Sequence, residues 1–509
     1  MRLGRAADIT GRSEPASLPP DASRLQPNFK TSFVGFLLAI VVSSLDQNIV
    51  ATALPSIASE LGGIANLPWI VTAFMLTSTI SAPIYGKLSD MYGRRRLFTV
   101  SIAIFLASSV LCTIVESLPQ LIAARALQGF GAGGLVTLSQ STIGDLVGPR
   151  QRGRYQGYFS GAMAVSTVIG PLLGGVLISD LSWRWIFLAT TPLGTASLVL
   201  MYLGLLPAAE IRSHNIDYLG AFLLTLGTTA AFLFLSSVGG AGAASKGLIT
   251  VGLGAGALVC LGLFPFQEAR AAEPLLDLAL FRDANFTIGV VAAGMMTFAM
   301  NGALVFLPLY FQYVQGQTPT RAGLMLLPQI GGTIISSIVG GRLSAGSGEF
   351  KTFFIVGVGC EFLALTLLAV FAALDLTPIP FLGALAILGV GTGLGMPNAT
   401  VIVQNAAPQA KLGVATASMS FLRALGGAVG VALSGFVMQH VFTALTSDLP
   451  SHKTIDEVQH RLMLPDSYLG HGDLIEPLRI AITSSFALGA TMMLVAFITA
   501  WRLPSVRRG

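Results

Sequence analysis

The chain has 509 residues, of which 53% are hydrophobic and only 10% are charged. Soluble globular proteins carry about 25% charged residues, so 29 basic and 24 acidic residues are too few to cover the surfaces of several soluble domains. This composition excludes an ordinary soluble enzyme, a disordered chain and a coiled coil. The long apolar runs exclude a membrane β-barrel, whose segments are short and alternating. The sequence therefore predicts an all-α polytopic membrane protein, and a net charge of +5 gives no reason to expect a nucleic-acid partner.

Fourteen apolar runs follow a polar beginning. Residues 1–32 contain no apolar region typical of a signal peptide, and we predict a disordered cytoplasmic tail there. Each later run has roughly 20 residues, the length that a helix needs to cross a bilayer. No water is available there for open backbone groups, so every run is predicted to be helical. The predicted spans are 33–54, 68–88, 97–115, 119–143, 155–178, 184–206, 217–238, 247–267, 284–311, 321–342, 352–373, 379–404, 413–440 and 478–501.

The distribution of Lys and Arg indicates the orientation, because cytoplasmic loops carry the excess of basic residues. With the polar beginning in the cytoplasm, 21 of the 29 basic residues are cytoplasmic and 6 are external. Both ends of the chain are therefore expected on the cytoplasmic side. The one long external segment, 441–477, contains His and acidic residues at irregular spacing, and we expect a solvated loop there rather than a metal site.

The sequence contains an internal repeat. GKLSDMYGRRR at 86–96 aligns without a gap on GRLSAGSGEFK at 341–351, and LQGFGAGG at 127–134 is similar to ILGVGTGL at 387–394. The repeat predicts two six-helix halves with two helices inserted between them, an arrangement typical of secondary transporters. The predicted division is a tail 1–32, a first half 33–206, inserted helices with an amphipathic linker 207–283, a second half 284–503 and a tail 504–509.

Several segments resemble one protein family. GKLSDMYGRRRLF (86–98) resembles the loop signature between helices 2 and 3 of the major facilitator superfamily. Further segments are similar to its fourteen-helix drug:proton antiporters, and the resemblance implies the major facilitator fold and proton-driven export. These segments are SLDQNIVATALPSI (44–57), LIAARALQGFGAGG (121–134), GPLLGG (170–175), WRWIFLATTPLG (183–194), FLPLYFQYVQGQTPTRAG (306–323) and GVATASMSFLRALGGAVG (413–430).

The loop signature contains charges at a helix end. Gly86 and Gly93 allow tight turns and close helix contact. The resemblance implies that Asp90 and Arg94, with Asp145 at the end of the fourth span, form a cytoplasmic latch that holds the outward-facing state. The second copy of the signature has alanine in place of the acid, so no such latch is expected in the second half.

Four charged residues lie inside predicted spans: Asp46, Arg125, Glu361 and Arg423. A charge that faces lipid is costly, so all four are expected to face the interior or a wet cavity. A carboxylate that attracts a cationic substrate and can also bind a proton makes the two compete, which is antiport in its simplest form. The resemblance matches Arg125 to an arginine implicated in proton transfer. We predict that these four residues carry proton coupling or substrate binding, with a structural hydrogen-bonding role for Asp46 and a local salt bridge for Glu361 as alternatives.

Small and polar residues supply the remaining candidates. A longer motif in the fifth span resembles the antiporter motif of the superfamily and implies a close-packed interface between the halves. Its residues are Gly157, Gly170, Pro171, Gly174 and Gly175. Candidate cavity-lining residues are Asn48, Asn301, Gln329, Asn398 and Gln404.

The sequence thus predicts a proton-coupled exporter of hydrophobic, cationic drugs or toxic compounds. We expect it to act as a monomer in a bacterial inner membrane, with the lipid bilayer, small substrates and protons as partners. No ATP-binding motif is present, so the proton gradient is the expected energy source and no cofactor is expected. The alternatives are an exporter of an endogenous lipid, siderophore or secondary metabolite on the same fold, an importer, and a non-transporting membrane sensor.

Overall fold

A computed structural model describes residues 29–61, 67–205, 217–238, 247–271, 274–446 and 472–503. In these ranges the chain is helical and forms no β-strand. Fourteen helices are long and apolar enough to cross a membrane, which confirms the number predicted from the sequence. The protein is therefore a multi-pass membrane protein.

Six helices form the N-terminal half and six form the C-terminal half, with a helical pair between them. The first half comprises α1 (Phe29–Leu61), α2 (Pro68–Tyr92), α3 (Arg94–Ile114), α4 (Leu118–Leu146), α5 (Arg152–Asp180) and α6 (Trp185–Gly204). The inserted pair comprises α7 (Tyr218–Val238) and α8 (Gly247–Glu268). The second half comprises α9 (Ala284–Val314), α10 (Thr320–Ser347), α11 (Phe350–Ala373), α12 (Pro378–Ala406), α13 (Leu412–Thr446) and α14 (Gly472–Trp501).

The predicted boundaries of the first tail and of the external loop differ from the structure. The first helix begins at Phe29, so residues 29–32 of the predicted tail are helical. The predicted external loop 441–477 is shorter, because α13 continues to Thr446 and α14 begins at Gly472. Residues 1–28, 447–471 and 504–509 of the predicted tails and loop lie outside the described residues.

Each half packs around its own apolar core. In the first half α1 packs on α5 and α6, and α4 packs on α2 and α3; in the second half α9 packs on α13 and α14, and α12 packs on α10 and α11. Phe36 and Phe105 are fully buried in the first core, and Phe354 and Phe381 in the second. The inserted helices pack on each other, and α7 also touches α2 and α13. Large apolar side chains such as Leu248 remain exposed on α8, as expected for a surface covered by lipid.

The two most extensive contacts between the halves are the crossings of α2 with α13 and of α5 with α10. At the first, a side chain on Gly86 would lie 2.7 Å from the carbonyl oxygen of Gly413; at the second, one on Gly341 would lie 2.6 Å from that of Gly153. Both crossings need glycine because the backbones touch. They lie on the side of the loop between α2 and α3, and we call the region of residues 86–94, 144–157, 341–345 and 404–416 the gate end.

Candidate functional site

Asp46 and Arg125 form an ion pair inside the first half. Nη1 of Arg125 lies 2.5 Å from Oδ2 of Asp46, and the two side chains are 1% and 0% exposed. Asp46 stands about 25 Å along α1 from its first residue, near the middle of the helix. Removing one partner of a buried pair leaves the other charge uncompensated, at a cost of about 3–5 kcal/mol. The two residues, predicted separately from the sequence, therefore form one electrostatic unit.

Gln128 completes this network. Its Oε1 accepts a hydrogen bond from Nη1 of Arg125 at 2.5 Å, and its Nε2 donates to Oδ1 of Asp46 at 3.0 Å and to Oγ of Ser109 at 2.7 Å. Gln128 and Ser109 are fully buried. The sequence analysis missed both residues. The i, i+3 spacing of Arg125 and Gln128 on one helix face is a signal that could have identified Gln128, whereas Ser109 lies on α3 and is brought in by tertiary packing.

The surroundings of the pair are aromatic and backbone groups. The guanidinium of Arg125 lies 4.2 Å from the ring centre of Phe74 and 5.7 Å from that of Phe187. Its Nε donates to the carbonyl of Ile70 at 3.4 Å. Electrostatic interactions are stronger in such an apolar environment than in water. A proton placed on Asp46 would leave the guanidinium charged and without an anion, so this arrangement can convert proton binding into a force that opens the network.

The gate end contains the predicted charge latch. Arg94 lies between two carboxylates, with Nη2 at 2.5 Å from Oδ1 of Asp90 and Nε at 2.8 Å from Oδ2 of Asp145. Asp90 also accepts hydrogen bonds from the backbone N–H groups of Gly413 at 3.2 Å and Val414 at 3.1 Å. These groups begin α13, where a negative charge is favoured by the helix dipole. Asp90 of the first half therefore caps a helix of the second half. Gly93, between α2 and α3, has a φ of 92° that favours glycine.

A second contact between the halves was not predicted. Arg152, at the start of α5, donates from Nε and Nη2 to the carbonyl of Gly144 at 3.1 and 2.7 Å. Its Nη1 donates to the carbonyl of Gln404 at 2.9 Å and to Oδ1 of Asn405 at 2.7 Å. The Arg152 guanidinium thus donates hydrogen bonds to the last turns of both α4 and α12, whose carbonyls lack helical partners.

Gln404 was predicted to line a cavity, and the structure corrects this. The side chain is fully buried, and its Nε2 donates to the carbonyl of Gln140 at 3.0 Å across the boundary between the halves. Its neighbour across the boundary is Gly144, where an added side chain would lie 3.2 Å from the Gln404 amide. Gln404 is therefore part of the gate-end contact.

The antiporter motif is divided between two interfaces. A side chain on Gly157 would lie 3.2 Å from Cα of Gly341, so Gly157 packs between the halves as predicted. The prediction is wrong for Gly170 and Gly174, whose added side chains would meet α1 of the same half, at 2.8 Å from Cβ of Asn48 for the former. Gly175 has no neighbour within 4 Å, and Pro171 lies inside α5. The motif mainly holds α5 against α1, because small residues allow these helices to approach closely.

Glu361 and Arg423 do not join the Asp46 network. Glu361 is fully buried on α11, and its Oε1 lies at a hydrogen-bonding distance of 2.8 Å from Oγ1 of Thr392. Arg423 is half-buried on α13, and its Nε has no hydrogen-bond partner among the described residues. In the part of the chain that the structure describes, neither residue forms an ion pair. The alternative of a local salt bridge for Glu361 is therefore not observed.

The other polar candidates are separated. Asn48 and Asn398 donate from Nδ2 to carbonyls four residues earlier in their own helices, at 2.6 and 2.7 Å. Asn398 is fully buried, which is inconsistent with its predicted position on a cavity wall. Gln329 retains 8% exposure on α10, and Asn301 is half-buried on α9.

Comparison with known proteins identifies the family. The family model described as Major Facilitator Superfamily matches residues 36–431, which include the Asp46–Arg125 network and both gate-end contacts. The chain belongs to the major facilitator superfamily. Proteins of this superfamily are transporters and not enzymes, as expected from the sequence.

Named relatives of this major facilitator protein include drug transporters. The chain is 35% identical to multidrug transporter protein MdtP of Bacillus subtilis, over 79% of this chain and 74% of the relative. It is 30% identical to multidrug resistance protein 3 of the same species, over 93% and 95%. The crystal structure of the human organic anion transporter MFSD10 superposes with a TM-score of 0.62 over 95% of this chain and 100% of that chain. At 15% identity, this last likeness shows the fold alone.

Proposed function

We propose that this transporter exports hydrophobic, cationic compounds in exchange for protons, by alternating access in a cell membrane. The observation that carries the proposal is the buried network of Asp46, Arg125 and Gln128, supported by the drug-transport names of the relatives. In this proposal the gate end faces the cytoplasm, and the excess of basic residues on that side supports this orientation. The carrier acts as a monomer in a bacterial inner membrane, and the proton gradient is its only energy source.

Coupling begins at the ion pair. A proton that reaches Asp46 from outside neutralises the carboxylate and leaves Arg125 as an unpaired buried charge, which is unfavourable by several kcal/mol. The helices that hold the pair therefore separate, water or other acceptors reach Arg125, and the inward-facing state is favoured. Loss of the proton to the cytoplasm restores the pair. A cationic substrate competes with Arg125 and with the proton for the same carboxylate, so occupation by one excludes the other.

The inward-facing state depends on the opening of the gate end. In this structure Asp90 caps α13 and Arg152 holds the ends of α4 and α12 together, so the gate end is closed. The inward-facing state requires both contacts to break. Each net hydrogen bond to a charged group contributes about 1.5–3 kcal/mol, so the closed state is stabilised by a few such interactions and can be opened by changes at the ion pair.

Transport in proteoliposomes tests the proposal. With an imposed proton gradient, the wild-type protein is expected to accumulate tetraphenylphosphonium against its own gradient. The Asp46→Asn variant is expected to lose this accumulation, because the amide cannot exchange a proton. Asp180→Asn, which changes an exposed acid at the end of α5, is the matched control and retains accumulation. Proton coupling at the wild-type level in Asp46→Asn would contradict the role of Asp46 in coupling.

A substrate screen separates drug export from its nearest alternative. Cationic, neutral and anionic compounds are compared in the same vesicles, and the drug susceptibility of a deletion strain is measured. Export of hydrophobic cations with increased susceptibility supports the proposal. Unchanged susceptibility to all drugs, with transport of a lipid, siderophore or secondary metabolite, identifies an exporter of an endogenous product on the same fold.

A further inference from the structure

Glu361 occupies a position where the fold itself requires no acid. In the first half, a side chain added to Gly131 would lie 2.7 Å from the backbone nitrogen of Phe105 and 2.8 Å from the carbonyl oxygen four residues before it. In the second half, a side chain added to Gly391 would lie 2.7 Å from the backbone nitrogen of Glu361 and 2.8 Å from the carbonyl oxygen four residues before it. The same helix crossing thus carries phenylalanine in one half and glutamate in the other, and both are fully buried.

The hydrogen-bond partner of Glu361, Thr392, also has an apolar counterpart in the first half. Thr392 follows Gly391 directly, and the residue that follows Gly131 is Ala132. The hydroxyl of Thr392 lies 2.8 Å from Oε1 of Glu361 and 3.0 Å from the carbonyl of Leu388. A hydroxyl has one proton to donate. If Thr392 donates to the carbonyl, the hydrogen bond with Glu361 requires the proton to be on the carboxyl group.

No positive charge compensates this carboxyl group. The helices α9 and α12, which pack on α11, contain no Asp, Glu, Lys, Arg or His in the described spans. On α14, Arg479 is paired with Glu476 and donates to the last carbonyls of α11, about 17 Å along the helix from Glu361. Lys351 lies at the opposite end, about 15 Å away, where it donates to the carbonyl of Leu503.

The remaining neighbours place no positive charge beside Glu361. Arg321 and Arg342 lie near the two ends of α10, and the titratable Cys360 and Tyr310 carry no positive charge. The second carboxyl oxygen of Glu361, Oε2, has no hydrogen-bond partner within the described part of the chain. An unpaired charge in such surroundings is strongly disfavoured, and a buried acid without a cation takes up a proton instead.

Thr392 connects Glu361 to the interior of the transporter. It lies nine residues after the exposed Gly383, which places the two on opposite sides of α12 at 3.6 residues per turn. It retains 8% exposure, and its hydroxyl lies 3.7 Å from the sulfur of the half-buried Met300 on α9. The hydroxyl thus stands between a fully buried carboxyl group and the inner side of the second half.

We propose that Glu361 is a second proton-carrying carboxyl group, which exchanges its proton with the space between the halves through the hydroxyl of Thr392. In the release step the O–H bond of the Glu361 carboxyl breaks, Thr392 accepts that proton, and Thr392 passes its own proton to a water molecule. The carboxylate forms only when the halves have moved and water or a cationic substrate reaches it. This inference rests on the proposed function and adds a second coupling group in the half that lacks the Asp46–Arg125 pair.

Infrared spectroscopy and transport together test this role. The purified protein in nanodiscs is titrated with acid and base, with and without tetraphenylphosphonium, and the carbonyl band of protonated carboxyl groups is recorded. Glu361→Gln is expected to remove one such band that Asp46→Asn leaves in place. In proteoliposomes Glu361→Gln is expected to lower the proton-to-substrate ratio by about half, since one of two exchanging groups is lost. Phe105→Leu, at the matching position of the first half, is the control and leaves both readouts unchanged.

Variants of Thr392 distinguish exchange from a structural role. Thr392→Val is expected to slow the proton exchange of the Glu361 band, and Thr392→Ser to restore it. If the band never responds to pH or to tetraphenylphosphonium, or if Glu361→Gln keeps the wild-type ratio while export is proton-driven, the role of Glu361 is wrong and the proposed function stands. If wild-type export is not driven by protons, the proposed function fails, and this inference fails with it.

Discussion

The two halves share the same arrangement of helices, but their buried polar contacts lie at different positions along those helices. Between α3 and α4, Ser109 bonds to Gln128, which continues to the Asp46–Arg125 pair. The matching positions of the second half are Leu365 and Leu388, both fully buried. Between α11 and α12, Glu361 bonds to Thr392 instead, and the matching positions of the first half are Phe105 and Ala132, both buried.

This comparison shows that the helix packing tolerates an apolar pair at either of the two positions. A buried polar group costs free energy unless it is bonded, so neither polar pair is needed to hold the helices together. The gate end shows the same asymmetry. Asp90 caps α13, whereas the matching residue of the second half is Ala345. The first half therefore contains the strong ion pair and the latch, and the second half contains an isolated acid.

The largest expected effect comes from making the first half resemble the second at Arg125. Its counterpart is Leu385, so Arg125→Leu leaves Asp46 buried without a cation and is expected to lower the free energy of unfolding by about 3–5 kcal/mol. Proton-driven export is lost. Thermal unfolding and vesicle transport measure the two effects.

Two further variants sharpen this result. Combining Arg125→Leu with Asp46→Asn removes both charges and is expected to recover most of the stability but no coupling. Leu385→Met, a volume-conserving change in the second half, costs less than about 1.5 kcal/mol and retains transport. Full coupling in Arg125→Leu would contradict the role of the ion pair.

A smaller effect is expected at the glycine contacts. Gly157→Ala places a methyl group against α10 and is expected to destabilise the closed gate by about 1–3 kcal/mol, seen as reduced export. Gly174→Ala, on the contact of α5 with α1, is expected to lower thermal stability without opening the gate. Gly175→Ala, with no neighbour within 4 Å, is the control and changes stability by less than about 0.5 kcal/mol. Equal effects of all three would show that the motif does not divide between two interfaces.

The smallest effect is expected at the latch. Asp90→Asn weakens the cap of α13 by about 1 kcal/mol, which is about a fivefold shift toward the open gate. Electron paramagnetic resonance distances between labels at the exposed positions Arg96 and Ser347 measure this shift. Asp283→Asn weakens the same kind of cap on α9 within one half and is expected to leave the distance unchanged. A shift in both variants would assign the effect to general destabilisation.

Much of this organisation could be predicted from the sequence because its signals are local. Apolar runs of membrane length predicted all fourteen helices, and the resemblance of residues 86–98 to a known loop signature implied the latch of Asp90, Arg94 and Asp145. The role of Arg152 could not be predicted. Its contacts form only because the ends of α4 and α12 meet at the boundary between the halves. Arg152 and Gln404 are separated by about 250 residues of chain.

The sequence by itself determined the membrane class, the two-half repeat and the few charges available for coupling, because hydrophobic length and charge placement depend only on composition and order. The tertiary structure decided which of these charges meet. It brought Asp46 into direct contact with Arg125 and placed Gln128 against both, and it left Glu361 with a hydroxyl as its only partner in the described residues. Such pairing is set by helix packing, since residues 79 positions apart can touch only after the helices that carry them are placed side by side.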